Sequence, residues 1–267
     1  MLGSDLAVAC GNCGFNVRVV DLPEFDILNR EQVRQAVDTA DAIINCAAYT
    51  NVDGAESQKD LAHRVNGEAV GQLGRLAAER GKWVLHFSTD FVFDGDLDRP
   101  YTETDAPNPI NEYGRSKLAG ERLLEQSGCS RCIVRLEWTY GAHGTHFVNK
   151  IIERTRASGH LKVVSDQVGS PTATTEVAEA ACKLLEHRAE GLFHFANSGY
   201  ASRFDVATFI TEQLSLDVEV TPCPSSDYRS PARRPLNSRF NCTKIQALLG
   251  EPIRPWQEPL AGFLRDL

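Results

Sequence analysis

The chain has 267 residues, 42% of them hydrophobic and 24% charged, which excludes a disordered or collagen-like chain and allows one large domain or a domain with a smaller partner. Twenty-eight basic against 36 acidic residues leave a formal charge of −8. That balance argues against a general grip on nucleic acid or anionic lipid, so an anionic ligand needs a local basic site. No run approaches the ~18 apolar residues of a membrane span, and no basic segment precedes an apolar signal core, so the chain reads as cytoplasmic, with no membrane or nucleic-acid partner.

In chain order, residues 1–9 read as the opening of a helix, and strand-length apolar runs then alternate with helical spacing. Strands are expected at 16–21, 42–48, 83–88, 132–136, 161–165 and 192–196, and helices at 30–37, 61–80, 112–126, 146–157 and 176–187. This alternation predicts an α/β fold, a doubly wound parallel sheet whose ligands lie at the carboxyl ends of the strands. After Ser198 the texture changes to a helix at 204–214, a strand at 218–221, a Pro- and Arg-rich loop and two closing helices, which reads as a small C-terminal α+β cap. The division expected is 1–141 with 172–197 for the dinucleotide-binding part, and 142–171 with 198–267 for the substrate-binding cap.

A dinucleotide fold begins with a strand and a glycine-rich turn, and here the first strand is missing from the pattern. Asp21 ends a strand 18 residues after Gly3, close to the usual offset of about 20 between the glycine fingerprint and the acidic residue on the adenosine ribose. Gly3 therefore reads as the last glycine of a fingerprint, and the expectation is a natural chain that begins roughly 10 to 15 residues earlier, one short strand plus a turn, the alternative being a start at Met1 with the helix as a non-binding remnant. Asp21 would accept from a free 2′-hydroxyl and repel a 2′-phosphate, which leans towards tolerance of NADH beside NADPH.

The chemistry is concentrated at two places. Strand 83–88 runs into Ser88-Thr89-Asp90, and Tyr113 and Lys117 follow at Y-x-x-x-K spacing, one turn apart on a helix. A neighbouring ammonium is expected to lower the pKa of the phenol. Tyr113 then protonates a carbonyl oxygen as hydride reaches carbon, Lys117 binds the ribose of a nicotinamide cofactor, and Thr89 shares the developing charge on oxygen. The second place is the loop with Arg229, Arg233, Arg234 and, close behind, Arg239: four arginines within 11 residues of an acidic chain, suited to a diphosphate. Trp138 stacks on a sugar, lines its pocket or belongs to the core; the sequence leaves all three open. Cys10/Cys13 and Cys129/Cys132 have C-x-x-C spacing, but neither pair sits in a knuckle with nearby His, so they read as thiols rather than zinc ligands and no metal is expected.

The segments 45–53, 88–95, 113–121, 166–172 and 234–238 together resemble the extended short-chain dehydrogenases/reductases, and within them the dTDP-4-dehydrorhamnose reductase family. The resemblance runs nearly end to end. It implies a Rossmann-like fold, NADPH or NADH as cofactor, and reduction of dTDP-4-dehydro-6-deoxy-L-mannose to dTDP-L-rhamnose, with Thr89, Tyr113 and Lys117 as the catalytic set. It further implies cofactor contacts at Gly3, Asp21, Asp26, Ile27, Ala47, Ala48, Tyr49, Ser88, Tyr113 and Lys117. Substrate contacts are implied at Thr50, Val52, Asp90, Phe91, Trp138, Arg229 and Arg234, and Asn66 matches a helical asparagine that supports the active-site strand. The partner is a dTDP-sugar, and a homodimer is compatible. Glu137 departs from the pattern, placing a carboxylate where the family carries a hydroxyl. Two other functions stay open: a reductase of another 4-keto deoxysugar nucleotide, and a non-catalytic regulatory subunit resembling the beta subunit of methionine adenosyltransferase.

Overall fold

The computed structural model describes residues 1–267, except for the side chain at position 157. Its centre is a four-stranded parallel sheet in the order β1-β2-β3-β8, formed by β1 (Ala42–Asn45), β2 (Trp83–Thr89), β3 (Arg131–Leu136) and β8 (Gly191–Phe195). Every residue of β2 is buried, as its near-continuous apolar run requires of a strand covered on both faces. Helices α1 (Leu2–Asn12) and α8 (Thr174–Glu186) cover one face, where Leu6, Leu85, Val134, Val177 and Phe193 share a core. On the other face lie α2 (Arg30–Thr39), α5 (Ala69–Glu79) and α6 (Glu112–Gln126), with Val33, Val70, Val84, Leu124 and Ile133 in contact. Full burial of each such side chain contributes about 1.5–3 kcal/mol. The α/β prediction is therefore correct, and no helix among the described residues is long and apolar enough to cross a membrane.

A second core gathers the remaining chain. There α7 (Phe147–Ala157), α9 (Arg203–Gln213) and α11 (Gln257–Arg265) pack Val148, Ile151, Ile210 and Leu260 beside a two-stranded parallel sheet of β5 (His160–Val164) and β10 (Glu219–Cys223). Two short pairs link the layers: β4 (Thr139–Tyr140) runs beside β7 (Thr172–Ala173), and β6 (Val168–Gly169) opposes β9 (Ala201–Ser202). The last helix but one, α10 (Thr243–Leu249), lies against β8 and puts Ile245 in the sheet's own core.

Three expectations about elements need correction. Residues 16–21 form no strand: Val19 is 66% exposed, and the segment has no ladder partner because β1 bonds only to β2, while a strand needs a neighbour for its backbone groups. The helix expected over 61–80 is three pieces, α4 (Lys59–His63), a π-helical turn at Arg64–Glu68 and α5. The 161–165 strand exists as β5 but outside the main sheet, paired with β10. Cys10 meets a sulfur from another helix, Cys182 on α8 at 3.5 Å, rather than the Cys129/Cys132 pair.

Candidate active site

The carboxyl end of β2 delivers Thr89 and Asp90 to the place where ligands of parallel sheets bind. The Thr89 side chain accepts from Phe91 N–H at 3.2 Å and so caps the 3-10 turn at Asp90–Val92. Asp90 is 2% exposed, accepting from the Thr89 hydroxyl at 3.0 Å and from Ser238. Helix α6 brings the other two groups. Its N-cap, Asn111, accepts from Gly114 N–H at 2.8 Å, and Gly114 lets the helix approach so closely that a Cβ there would collide with the Phe91 carbonyl. Tyr113 thereby faces the Thr89 hydroxyl, with the Phe91 ring edge-on at 5.7 Å. One turn later Lys117 is 2% exposed, and its Nζ donates to the Phe87 carbonyl at 2.6 Å. The Thr89, Tyr113 and Lys117 predicted from spacing thus come together.

Their electrostatics differ from the expected pattern. Burial, reinforced by the charge of Asp90, pushes the Tyr113 phenol up to about 12 despite the nearby Thr89 hydroxyl, so it is not lowered by Lys117 as the sequence suggests. The physical reason is that desolvation penalises the phenolate more than its neighbours favour it. Lys117 is itself lowered to about 8 by burial, with Glu121 and Cys46 acting against the shift. Beneath the site, Arg135 and Glu121 form a buried two-pronged ion pair at 2.9 and 2.7 Å, and burial with the charge of Lys117 keeps His86 neutral.

On the cofactor side the loop after β1 is held by asparagines. Asn45 accepts from Ala47 N–H at 3.1 Å and turns the chain, ending the strand three residues before the expected 48. Asn66, in the π-helical turn and 0% exposed, accepts from Tyr49 N–H at 2.8 Å and donates to Tyr49 O at 3.0 Å and to Ser116 at 2.9 Å. Gly3 lies against the Cys46 side chain, so the start of α1 abuts the residue before Ala47. Ser88 has a buried hydroxyl with no hydrogen-bond partner among the described residues, and Lys117 Nζ has two donors beyond its bond to Phe87. Both observations fit the ribose of a nicotinamide nucleotide. The adenosine-side candidates are more dispersed. Asp21 is exposed and accepts from Leu22 N–H, Asp26 is occupied by Leu28 N–H, and Ile27 packs on the core under α2.

The substrate-side residues divide in the same way. Thr50 is exposed and Val52 half-buried at the start of α3 (Val52–Ala55). Arg234 reaches that helix, pairing with Asp53 at 2.9 Å while also donating to Ser230 and the Ala232 carbonyl. Arg229 is exposed, and among the described residues its side chain makes no contact that joins it to the site. Trp138 lines the region, but Arg203 covers its ring at 3.4 Å, and Gly169 packs so near that a Cβ would stand 2.7 Å from the indole. Glu137, which the sequence puts near the sugar, is 0% exposed and lies close enough to Asp90 and Arg203 to feel both charges. Burial and the nearby Asp90 push its carboxyl well above the usual range. Sequence reasoning does not single out Arg203 or Ser238; Ser238 lies in the 234–238 segment, whereas Arg203 carries no local signal.

With this geometry in place, comparisons with known proteins are consistent. The family described as RmlD substrate binding domain matches residues 1–267. A dTDP-4-dehydrorhamnose reductase of Mycolicibacterium smegmatis is 38% identical over 97% of this chain and 81% of its own length, and that of Escherichia coli is 34% identical over 91% and 85%. The crystal structure of dTDP-4-dehydrorhamnose reductase from Bacillus anthracis in complex with NADP superposes with a TM-score of 0.95 at 33% identity, covering 100% of this chain and 95% of that one. The chain belongs to the dTDP-4-dehydrorhamnose reductase family.

Proposed function

We propose that the protein reduces the 4-keto group of dTDP-4-dehydro-6-deoxy-L-mannose to give dTDP-L-rhamnose, using NADPH or NADH. The observation that carries this reading is the convergence of Thr89, Tyr113 and Lys117 at the end of β2, in a member of this family. When bound, the nicotinamide cofactor supplies the hydride. Tyr113, a phenol that keeps its proton at neutral pH, holds it ready for the carbonyl oxygen; general acid catalysis of this kind contributes ~10²–10⁴-fold. Thr89 turns its hydroxyl from Asp90 to the same oxygen and shares its developing charge. Lys117 uses its remaining donors on the ribose hydroxyls, and its ammonium stabilises the phenolate left on Tyr113. Ala47, Ala48, Tyr49 and Ser88 line the nicotinamide side, while Val52, Asp90, Phe91 and Trp138 line the sugar side.

The eight cysteines are all unpaired, which supports work in a reducing compartment such as the cytoplasm. The test is to incubate the protein with the keto sugar nucleotide and each cofactor, following loss of nicotinamide absorbance and identifying the sugar formed. Formation of dTDP-L-rhamnose supports the reading. Oxidation of cofactor only with a different keto sugar transfers the activity to that sugar, and inertness towards the whole panel favours a binding role.

A further inference from the structure

Arg203 is the first residue of α9, a position where the helix dipole disfavours a cation. It does not serve the helix, whose cap is formed by Ser202 and Asp205 through reciprocal hydrogen bonds. Its guanidinium lies over the Trp138 ring at 3.4 Å and the Phe147 ring at 4.7 Å. Among the described residues, it makes no side-chain hydrogen bond or ion pair. Burial lowers its pKa to about 9, with Asp90 and Glu137 opposing the shift and Arg234 adding to it. The side chain is half-buried, and its guanidinium donors, which have no acceptor among the described residues, are free for a ligand. The ring beneath it belongs to Trp138, whose backbone is held at φ 44°, a strained conformation for a bulky residue.

We propose that Arg203 is a specificity-determining residue of this chain, donating from its platform on Trp138 to the hydroxyls of the hexose undergoing reduction, opposite Asp90. The inference rests on the function proposed above and names the part of the substrate read. Two features favour hydroxyls over the diphosphate. Asp90 is a carboxylate near enough to Arg203 to act on its charge, and it is also the residue bonded to Thr89 at the reacting end. A phosphate placed there would meet the Asp90 carboxylate, whereas a hydroxyl can accept from Arg203 and donate to Asp90 at once. Arg234, by contrast, is already engaged with Asp53 and its own loop.

Calorimetric titration of dTDP and of dTDP-L-rhamnose into the unmodified protein and into Arg203→Met and Arg203→Lys, all saturated with NADP⁺, tests this directly. Hydrogen bonds to a charged group of this kind support an expected loss of about 10- to 100-fold in affinity for dTDP-L-rhamnose in Arg203→Met, with dTDP affinity unchanged. Arg203→Lys keeps the charge but not the fork, and is expected to show a smaller loss of the same kind; it carries the test should the Met variant not fold. An equal loss for both ligands overturns the inference in favour of diphosphate binding, and no loss for either also overturns it. Failure of the unmodified protein to bind dTDP-L-rhamnose overturns the proposed function itself, together with this inference.

Discussion

Tyr113 and Lys117 occupy neighbouring positions on α6, yet burial moves each towards its neutral form, and only their surroundings decide how far. For Lys117 the sign is plain: a pKa lowered to about 8 means the ammonium loses its proton as pH rises through that value. In the free enzyme kcat/KM is therefore expected to fall above about pH 8, since this ratio reports free-enzyme ionisations. Glu121→Gln removes a charge that favours the ammonium and is expected to move the fall to lower pH; a profile flat to pH 10 would contradict the assignment. Lys117→Ala is expected to weaken cofactor binding and turnover together, read as separate losses in Kd and kcat. The Tyr-Lys pair was legible in the sequence because its meaning lies in local spacing. Arg203 was not, because the ring that presents it belongs to Trp138, far upstream, and nothing next to Arg203 signals that its charge is unpaired.

At the scale of elements, close approach of backbones positions these groups. Gly120 brings α6 onto the π-helical turn so tightly that a Cβ would collide with the Asn66 carbonyl, and Asn66 in turn holds both backbone groups of Tyr49. Gly120→Ala is therefore expected to cost about 1–3 kcal/mol through overpacking, measured by urea unfolding, and to weaken cofactor binding by displacing the Tyr49 loop. Asn66→Ala, which leaves the Tyr49 N–H and carbonyl without their side-chain partner, is expected to destabilise by a similar ~1–3 kcal/mol. Apolar periodicity over 61–80 located the helical segment but not its break, because a π turn inserts one residue without changing the kinds of residue that face the core. The absence of a strand at 16–21 has a different reason. Alternating Val17 and Val19 carry the local pattern of a strand, but pairing is a property of two segments, and the one neighbour of β1 is β2.

Across the whole molecule, separate cores cover the two faces of the sheet and fill the second layer, and the candidate site is built at the carboxyl end of β2. The α/β class and the C-terminal α+β layer could be read from element alternation, since each element carries its own apolar face. We propose a division in which α10 goes with the sheet, because Ile245 packs with Phe193 rather than with the second core. Beneath the site, Arg135 at 2% and Glu121 at 6% exposure join α6 to β3. Removing one partner leaves a buried charge, so Glu121→Ala is expected to cost about 3–5 kcal/mol of global stability, visible as a lower denaturant midpoint; a change within experimental scatter would remove this pair from the account.

Tyr113 is assigned as the group that protonates the substrate oxygen as hydride is delivered. That role is tested most directly by comparing Tyr113→Phe with the unmodified protein in reduction of dTDP-4-dehydro-6-deoxy-L-mannose, with cofactor affinity measured in parallel. The expected result is dTDP-L-rhamnose formation by the unmodified protein, a loss of ~10²-fold or more in kcat for Tyr113→Phe, and nearly unchanged cofactor binding. Undiminished turnover by Tyr113→Phe would contradict it.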